Sequence, residues 1–237
     1  MIFYNSPMKI EFTDDGLVVN GEIQKYSARM LSELNEVLLS PVFSNEDKPI
    51  YLMYRNVLKK RDLRYDITVI ASRIIGKEFA RTYGHYHPNS EKEDAYPEVY
   101  QVLFGEAKFI LQKENKDNSH NVIIISMNEG ETLIIPPGYG HVSINTSREK
   151  PLFLANLVYD DFESSYEEFK TLKGPAIYYT LDGPKQNTNY IIKNLENMGA
   201  KKFNSRYGFV CSDILKEFYE NPSKFEFLKK PSLFFSR

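Results

Sequence analysis

The sequence predicts a mainly β chain, a small barrel or sandwich with helices at its two ends, and three observations carry that reading. Between residues 49 and 158, short runs rich in Val, Ile, Tyr and Phe alternate with turn residues, the texture of successive antiparallel strands. Apolar spacing of helical period is confined to the flanks of that stretch. The chain has 237 residues, 42% of them hydrophobic and 14% aromatic. A chain of that size buries roughly 70% of the surface it exposes when unfolded, so no covalent staple is needed. We therefore expect one domain over 1–237, with a barrel core at about 49–180, an N-terminal helix region at 26–39 and a helical C-terminal extension at 184–237.

Within residues 26–39, Met30, Leu31, Leu34, Val37 and Leu38 recur at helical spacing and leave Arg29, Glu33 and Glu36 outward. Pro41 and the polar run before Pro49 end that helix. Strands are expected near 49–57, 65–75, 78–87, 98–104, 107–113, 121–127, 131–135, 141–145 and 152–158. Tyr166, Phe169 and Leu172 then mark a short helix stopped by Gly174 and Pro175, with a further strand at 176–180. In the extension a helix is expected over 189–198 with Gly199 as its stop, and another after Ser212 as its cap.

A formal net charge of −2 lacks the basic excess of a chain that lives on nucleic acid or an anionic membrane, so neither partner is expected. The longest apolar runs fall far short of the roughly 20 residues that span a bilayer. The first residues carry no basic start followed by an apolar run, and a cytoplasmic location is the expectation. The lone Cys211 has no partner for an internal disulfide and reads as an ordinary buried thiol.

Chemistry concentrates in the middle of the chain. In Gly84-His85-Tyr86-His87 the two histidines are two apart in an extended segment, so alternation of side chains sends both imidazoles to one face, a chelating arrangement. Glu98, Val99 and Tyr100, with Gly105 at a hairpin turn, match the end of the first cupin motif. Gly130, Pro136, Gly138, His141 and Asn145 match the second at its usual spacing. Gly130 permits the turn before a strand, Pro136 and Gly138 shape the bend after it, and His141 opens the next strand pointing inward. The fold these motifs imply is the cupin, a double-stranded β-helix or jelly-roll barrel, with the N- and C-terminal helices peripheral. Three neutral imidazoles and a carboxylate suit one divalent Fe, Mn, Ni or Zn ion per subunit and leave room for substrate. One spacing departs from the pattern: ten residues separate His87 from Glu98, and the usual shorter gap selects Glu91. Glu98 is preferred because it opens an apolar strand at the right distance from Gly105, whereas Glu91 lies in a polar stretch.

A narrower resemblance rests on Ile67-Thr68-Val69-Ile70, Thr82-Tyr83-Gly84-His85-Tyr86-His87, Glu98-Val99-Tyr100, Pro136-Pro137 with His141, Ile144-Asn145-Thr146 and residues 151–155. Together these segments, over roughly 49–174, resemble the cupin-type glucose-6-phosphate isomerases best known from archaea. The resemblance implies interconversion of glucose 6-phosphate and fructose 6-phosphate in a homodimer, with metal ligands at His85, His87, Glu98 and His141. It also implies phosphate contacts at Thr68, Thr82 and the Gly84 backbone, and a sugar pocket lined by Tyr51 and Tyr100. Chemically, the ion would stabilise an enediol intermediate, Glu98 would act as base and Tyr100 would bond substrate hydroxyls or orient the carboxylate. Arg81 is a candidate cation for the phosphate, and His120, in a polar turn, is excluded as a ligand. Two alternatives stay open: a metal-dependent cupin dioxygenase built on the same four ligands, and a non-catalytic sugar-binding cupin.

Overall fold

The computed structural model describes residues 1–90 and 94–234. The chain begins with a small antiparallel sheet that the sequence reading left unassigned: β1 (Ile2–Tyr4), β2 (Ile10–Thr13), β3 (Gly16–Val19) and β4 (Glu22–Ile23). Segments this short give alternation too few positions to register. Phe3 and Phe12 of this sheet each pack against Phe153, with ring centroids 4.9 Å apart.

Half of the helix expected over 26–39 is absent. Residues 27–30 form β5 (Ser27–Met30), and only α1 (Leu31–Leu34) and one 3-10 turn (Asn35–Val37) are helical. The apolar pattern still marks what is buried, namely Leu34, Val37 and Leu38. Ladder pairing of β5 with β6 (Pro49–Lys60) outweighs the helical preference of the first four residues.

From β6 the chain turns into β7 (Leu63–Ile70), then passes through the short β8 (Ile74–Ile75) and β9 (Glu78–Phe79). The strands expected at 65–75 and 78–87 are thus interrupted. Gly84 explains the second break: its φ of +94° is incompatible with a regular pleat, and a Cβ there would lie 2.5 Å from the Phe169 ring. Beyond it follow β10 (Glu98–Phe104), β11 (Ala107–Glu114), β12 (His120–Met127), β13 (Thr132–Ile135), β14 (Gly140–Asn145) and β15 (Leu152–Tyr159), close to the expected strands.

Two sheets make the barrel. One has the order β13-β10-β15-β7-β6-β5, and the other runs β14-β11-β12 with a last strand from the C-terminal region. Along β10 to β15 the chain crosses between the sheets repeatedly, with β10, β13 and β15 in one and β11, β12 and β14 in the other, the winding of a jelly roll. Side-chain alternation turns Asn156 and Val158 of β15, Asp66 and Thr68 of β7, and Glu98 and Tyr100 of β10 toward the interior.

After β15 comes α2 (Glu167–Thr171), followed by Gly174, then β16 (Ile177–Thr180) and β17 (Gly183–Gln186), as the sequence indicated for the helix and the first of these strands. The helix expected over 189–198 is instead β18 (Ile192–Gly199), parallel to β12 and the fourth strand of the second sheet. Its helix-like spacing of apolar residues was incidental, for Leu195 is 54% exposed on this edge strand. Gly199 precedes α3 (Ala200–Ser205) instead of ending a helix. The last expected helix is α4 (Ile214–Glu220), capped by Asp213, which accepts from the Lys216 amide, and not by Ser212. Among the described residues no helix is long and apolar enough to cross a membrane.

Candidate metal centre and cleft

Gly84 aims the segment that follows it. His85 makes an isolated antiparallel bridge to His141 at the start of β14, with backbone bonds of 3.3 and 3.0 Å in the two directions. That bridge places the two rings 4.4 Å apart, centroid to centroid. His87 reaches the same point two residues on, and Glu98 enters from the facing sheet as the first residue of β10. One ligand atom from each of His85, His87, Glu98 and His141 lies within 4.8 Å of all the others. Glu91, the alternative acid, lies outside the described residues.

The donor set fits a divalent cation. His85 Nε2 and His87 Nε2 face each other at 3.1 Å, and Glu98 Oε2 stands 3.3 Å from His87 Nε2 and 3.2 Å from His141 Nε2. Glu98 Oε2 is buried yet receives no well-directed hydrogen bond, the orphaned state a cation would relieve. The Nδ1 of His87 is 2.9 Å from the Tyr96 carbonyl, so a proton held there leaves Nε2 with its lone pair turned inward. Burial, then the neighbouring His141 and His87, hold His85 well below the usual imidazole range. Burial also lowers His141, against the pull of Glu98. Burial works to raise the Glu98 carboxyl, but the His141 and His87 rings outweigh it and keep it ionised below the usual carboxylate range. Neutral imidazoles beside a carboxylate are the nitrogen and oxygen donors that first-row divalent metals take.

The cluster lies at a small cleft of about 80 Å³. All the residues anticipated for substrate, Tyr51, Thr68, Thr82, Gly84 and Tyr100, line it. The Tyr100 hydroxyl is 3.2 Å from His141 Nε2, and burial followed by the charge of Glu98 drives its pKa well up, so it stays a hydrogen-bond donor. Thr82 Oγ1 accepts from the Ser143 amide at 3.0 Å.

Two expectations are corrected. Arg81 does not face the cleft: it is 1% exposed, pairs with Glu78 at 3.1 Å and donates to the Val37 and Thr82 carbonyls, a structural cation. His120 is no turn residue but the buried first residue of β12, 3.2 Å from Glu168, and it stands apart from the four-ligand cluster as anticipated. Sequence reasoning also missed several cleft residues: Arg55, Arg64, Asp66, Asn156, Phe162 and Tyr166. Arg55 follows Tyr51 and Met53 at period two on β6, a pattern that could have identified it. Asn156, a lone amide in the apolar run of β15, carried its own signal. Phe162 and Tyr166 come from the loop after β15, whose approach to His87 (4.6 Å) and His85 (5.8 Å) depends on tertiary packing alone. Cys211 is buried as expected, and burial pushes its thiol up to about 12, out of reach of thiolate chemistry.

A family model described as Glucose-6-phosphate isomerase (GPI) matches residues 40–195. Glucose-6-phosphate isomerase of Pyrococcus furiosus is 29% identical over 159 residues, which is 64% of this chain and 79% of that protein. The protein of the same name from Pyrococcus abyssi is 31% identical over 159 residues with the same coverage. Among solved structures, a cupin 2 conserved barrel domain protein from Rhodopseudomonas palustris aligns over 50% of this chain and 64% of that one. Its TM-score is 0.33 at 13% identity, too partial a likeness to bear on function.

Proposed function

The chain belongs to the glucose-6-phosphate isomerase family, and on that premise we propose that it interconverts glucose 6-phosphate and fructose 6-phosphate through an enediol, using one divalent ion held by His85, His87, Glu98 and His141. The observation that carries this reading is the convergence of those four donors in a cleft whose walls hold hydroxyls and a backbone suited to a phosphorylated sugar.

Aldose to ketose conversion takes a proton from C2 and returns it to C1, while the O2 hydroxyl proton passes to O1. When bound, the ion supplies Lewis acidity toward the sugar oxygens on which negative charge develops. Glu98 is the base in this reading: ionised and set among the ligands, it can accept the C2 proton and give it back at C1. Tyr100 keeps its phenolic proton and donates to a substrate hydroxyl. Thr68, Thr82 and the backbone at Gly84 hold the phosphate, with Tyr51 against the sugar. Phe162 and Tyr166, packed near His87 and His85, limit access of water to the reacting carbons.

Arg55 supplies the cation first sought in Arg81. Arg64 shares the cleft, but Asp66 and Asp160 neutralise it at 2.9 and 3.0 Å. Arg55 has no carboxylate partner among the described residues, its contact being Met53 Sδ at 3.6 Å, and its charge is felt at His85. Arg55→Ala is expected to raise KM for fructose 6-phosphate about ten- to a hundredfold with kcat changed far less, from a charged hydrogen bond of about 1.5–3 kcal/mol. Steady-state kinetics check this; an unchanged KM removes Arg55 from phosphate recognition.

The activity itself is tested by supplying fructose 6-phosphate to metal-loaded protein while following glucose 6-phosphate and dissolved oxygen together. The expected result is isomerisation with no oxygen uptake, equally fast in anaerobic buffer. Oxygen consumption without isomerisation would assign the same ligands to a dioxygenase.

A further inference from the structure

We propose that Asn156 is a positioning residue that makes Glu98 a one-oxygen metal ligand, tying Oε1 to the protein and leaving Oε2 turned to the cation. The proposal rests on the metal reading above and adds to it a residue that sets the geometry of one ligand.

Asn156 stands midway along β15, between apolar neighbours, and is 6% exposed. Its register partners are Tyr100 on β10 and Asp66 on β7, so it shares the interior face with the cleft. An amide buried at such a position is costly unless it is hydrogen-bonded. Its Nδ2 donates to Glu98 Oε1 at 2.8 Å, a charge-assisted bond inside the barrel. The other oxygen, Oε2, is the atom 3.2 and 3.3 Å from the imidazole nitrogens and without a directed hydrogen bond. The two oxygens of one carboxylate are therefore already differentiated in the protein. Rotation about the last torsion of a glutamate is soft and roughly two-fold, so packing alone would not hold this distinction. The Tyr100 hydroxyl is 3.2 Å from His141 and also interacts with the Glu98 carboxylate, but the directed 2.8 Å bond to Oε1 comes from Asn156. Asn156 is thus the group that fixes the carboxylate plane, as partners of metal ligands do.

Metal-free full-length protein is titrated with Co²⁺, following the visible absorption of the bound ion and the melting temperature before and after loading. Asn156→Leu keeps the branched four-atom shape at a larger volume and removes the donor. It is expected to bind Co²⁺ about ten- to a hundredfold more weakly, with an altered spectrum, while the metal-free protein melts close to wild type. Asn156→Ala serves if the leucine variant does not fold, with the same loss expected. Glu98→Gln is titrated alongside. If the wild type takes up no Co²⁺, or Glu98→Gln binds as tightly as wild type, the metal reading falls and the proposal with it. If wild type binds, Glu98→Gln binds weakly and the Asn156 variants match wild type in affinity and spectrum, the proposal alone is overturned. A lower melting temperature with unchanged Co²⁺ affinity also overturns it, since that is what a packing role gives.

Discussion

Glu98→Gln is expected to lower kcat for isomerisation by about 10²–10⁴-fold, the range lost with a positioned base, while the protein keeps its fold. The substitution preserves shape, and the new carbonyl can still accept the 2.8 Å bond from Asn156. What disappears is the negative charge of the carboxylate beside His87 and His141, and with it both the proton acceptor and an anionic donor. Measuring kcat with metal content determined on the same sample separates the two losses. A variant that retains its metal and turns over at the wild-type rate would remove Glu98 from proton transfer.

Withdrawing the ion is expected to have an effect of similar size. Chelation should abolish measurable isomerisation and lower the melting temperature by several degrees, and adding back Fe²⁺, Mn²⁺, Ni²⁺ or Zn²⁺ should restore both to different extents. An ion that binds only the native state at 100 times its Kd stabilises it by about 2.7 kcal/mol. The same ligands set the acid limit. Burial depresses His85 and His141, so both rings are neutral at neutral pH, and protons displace the ion only as pH falls below the ordinary imidazole range. Activity that survives exhaustive chelation, with the metal shown to be gone, contradicts this account.

The convergence of His85, His87, Glu98 and His141 was legible because a candidate metal site constrains residue type and spacing together: His85 and His87 two apart, an acid opening a strand, and His141 after the Pro136 and Gly138 bend. The barrel strands were legible because both of their faces are buried and their runs of Val, Ile and Leu are long enough to register. What was lost depended on pairing at a distance. Residues 27–30 and 192–199 carry helix-like apolar spacing but become strands beside β6 and β12, and no local pattern records that neighbour. Arg81 and Arg55 illustrate the same limit. Alternation could not be carried through the irregular stretch before Gly84, where Arg81 turns to Glu78, whereas it holds over the first half of β6, before the irregularity at Asn56, and brings Arg55 to the cleft.

Diffraction at the absorption edge of a bound metal tests the central claim most directly. Crystals grown with Mn²⁺ are expected to give one strong anomalous peak per chain, at about 2.0–2.3 Å from Nε2 of His85, His87 and His141 and from Oε2 of Glu98. No peak at that point, or one whose shell leaves out Glu98 or any of the three imidazoles, would contradict it.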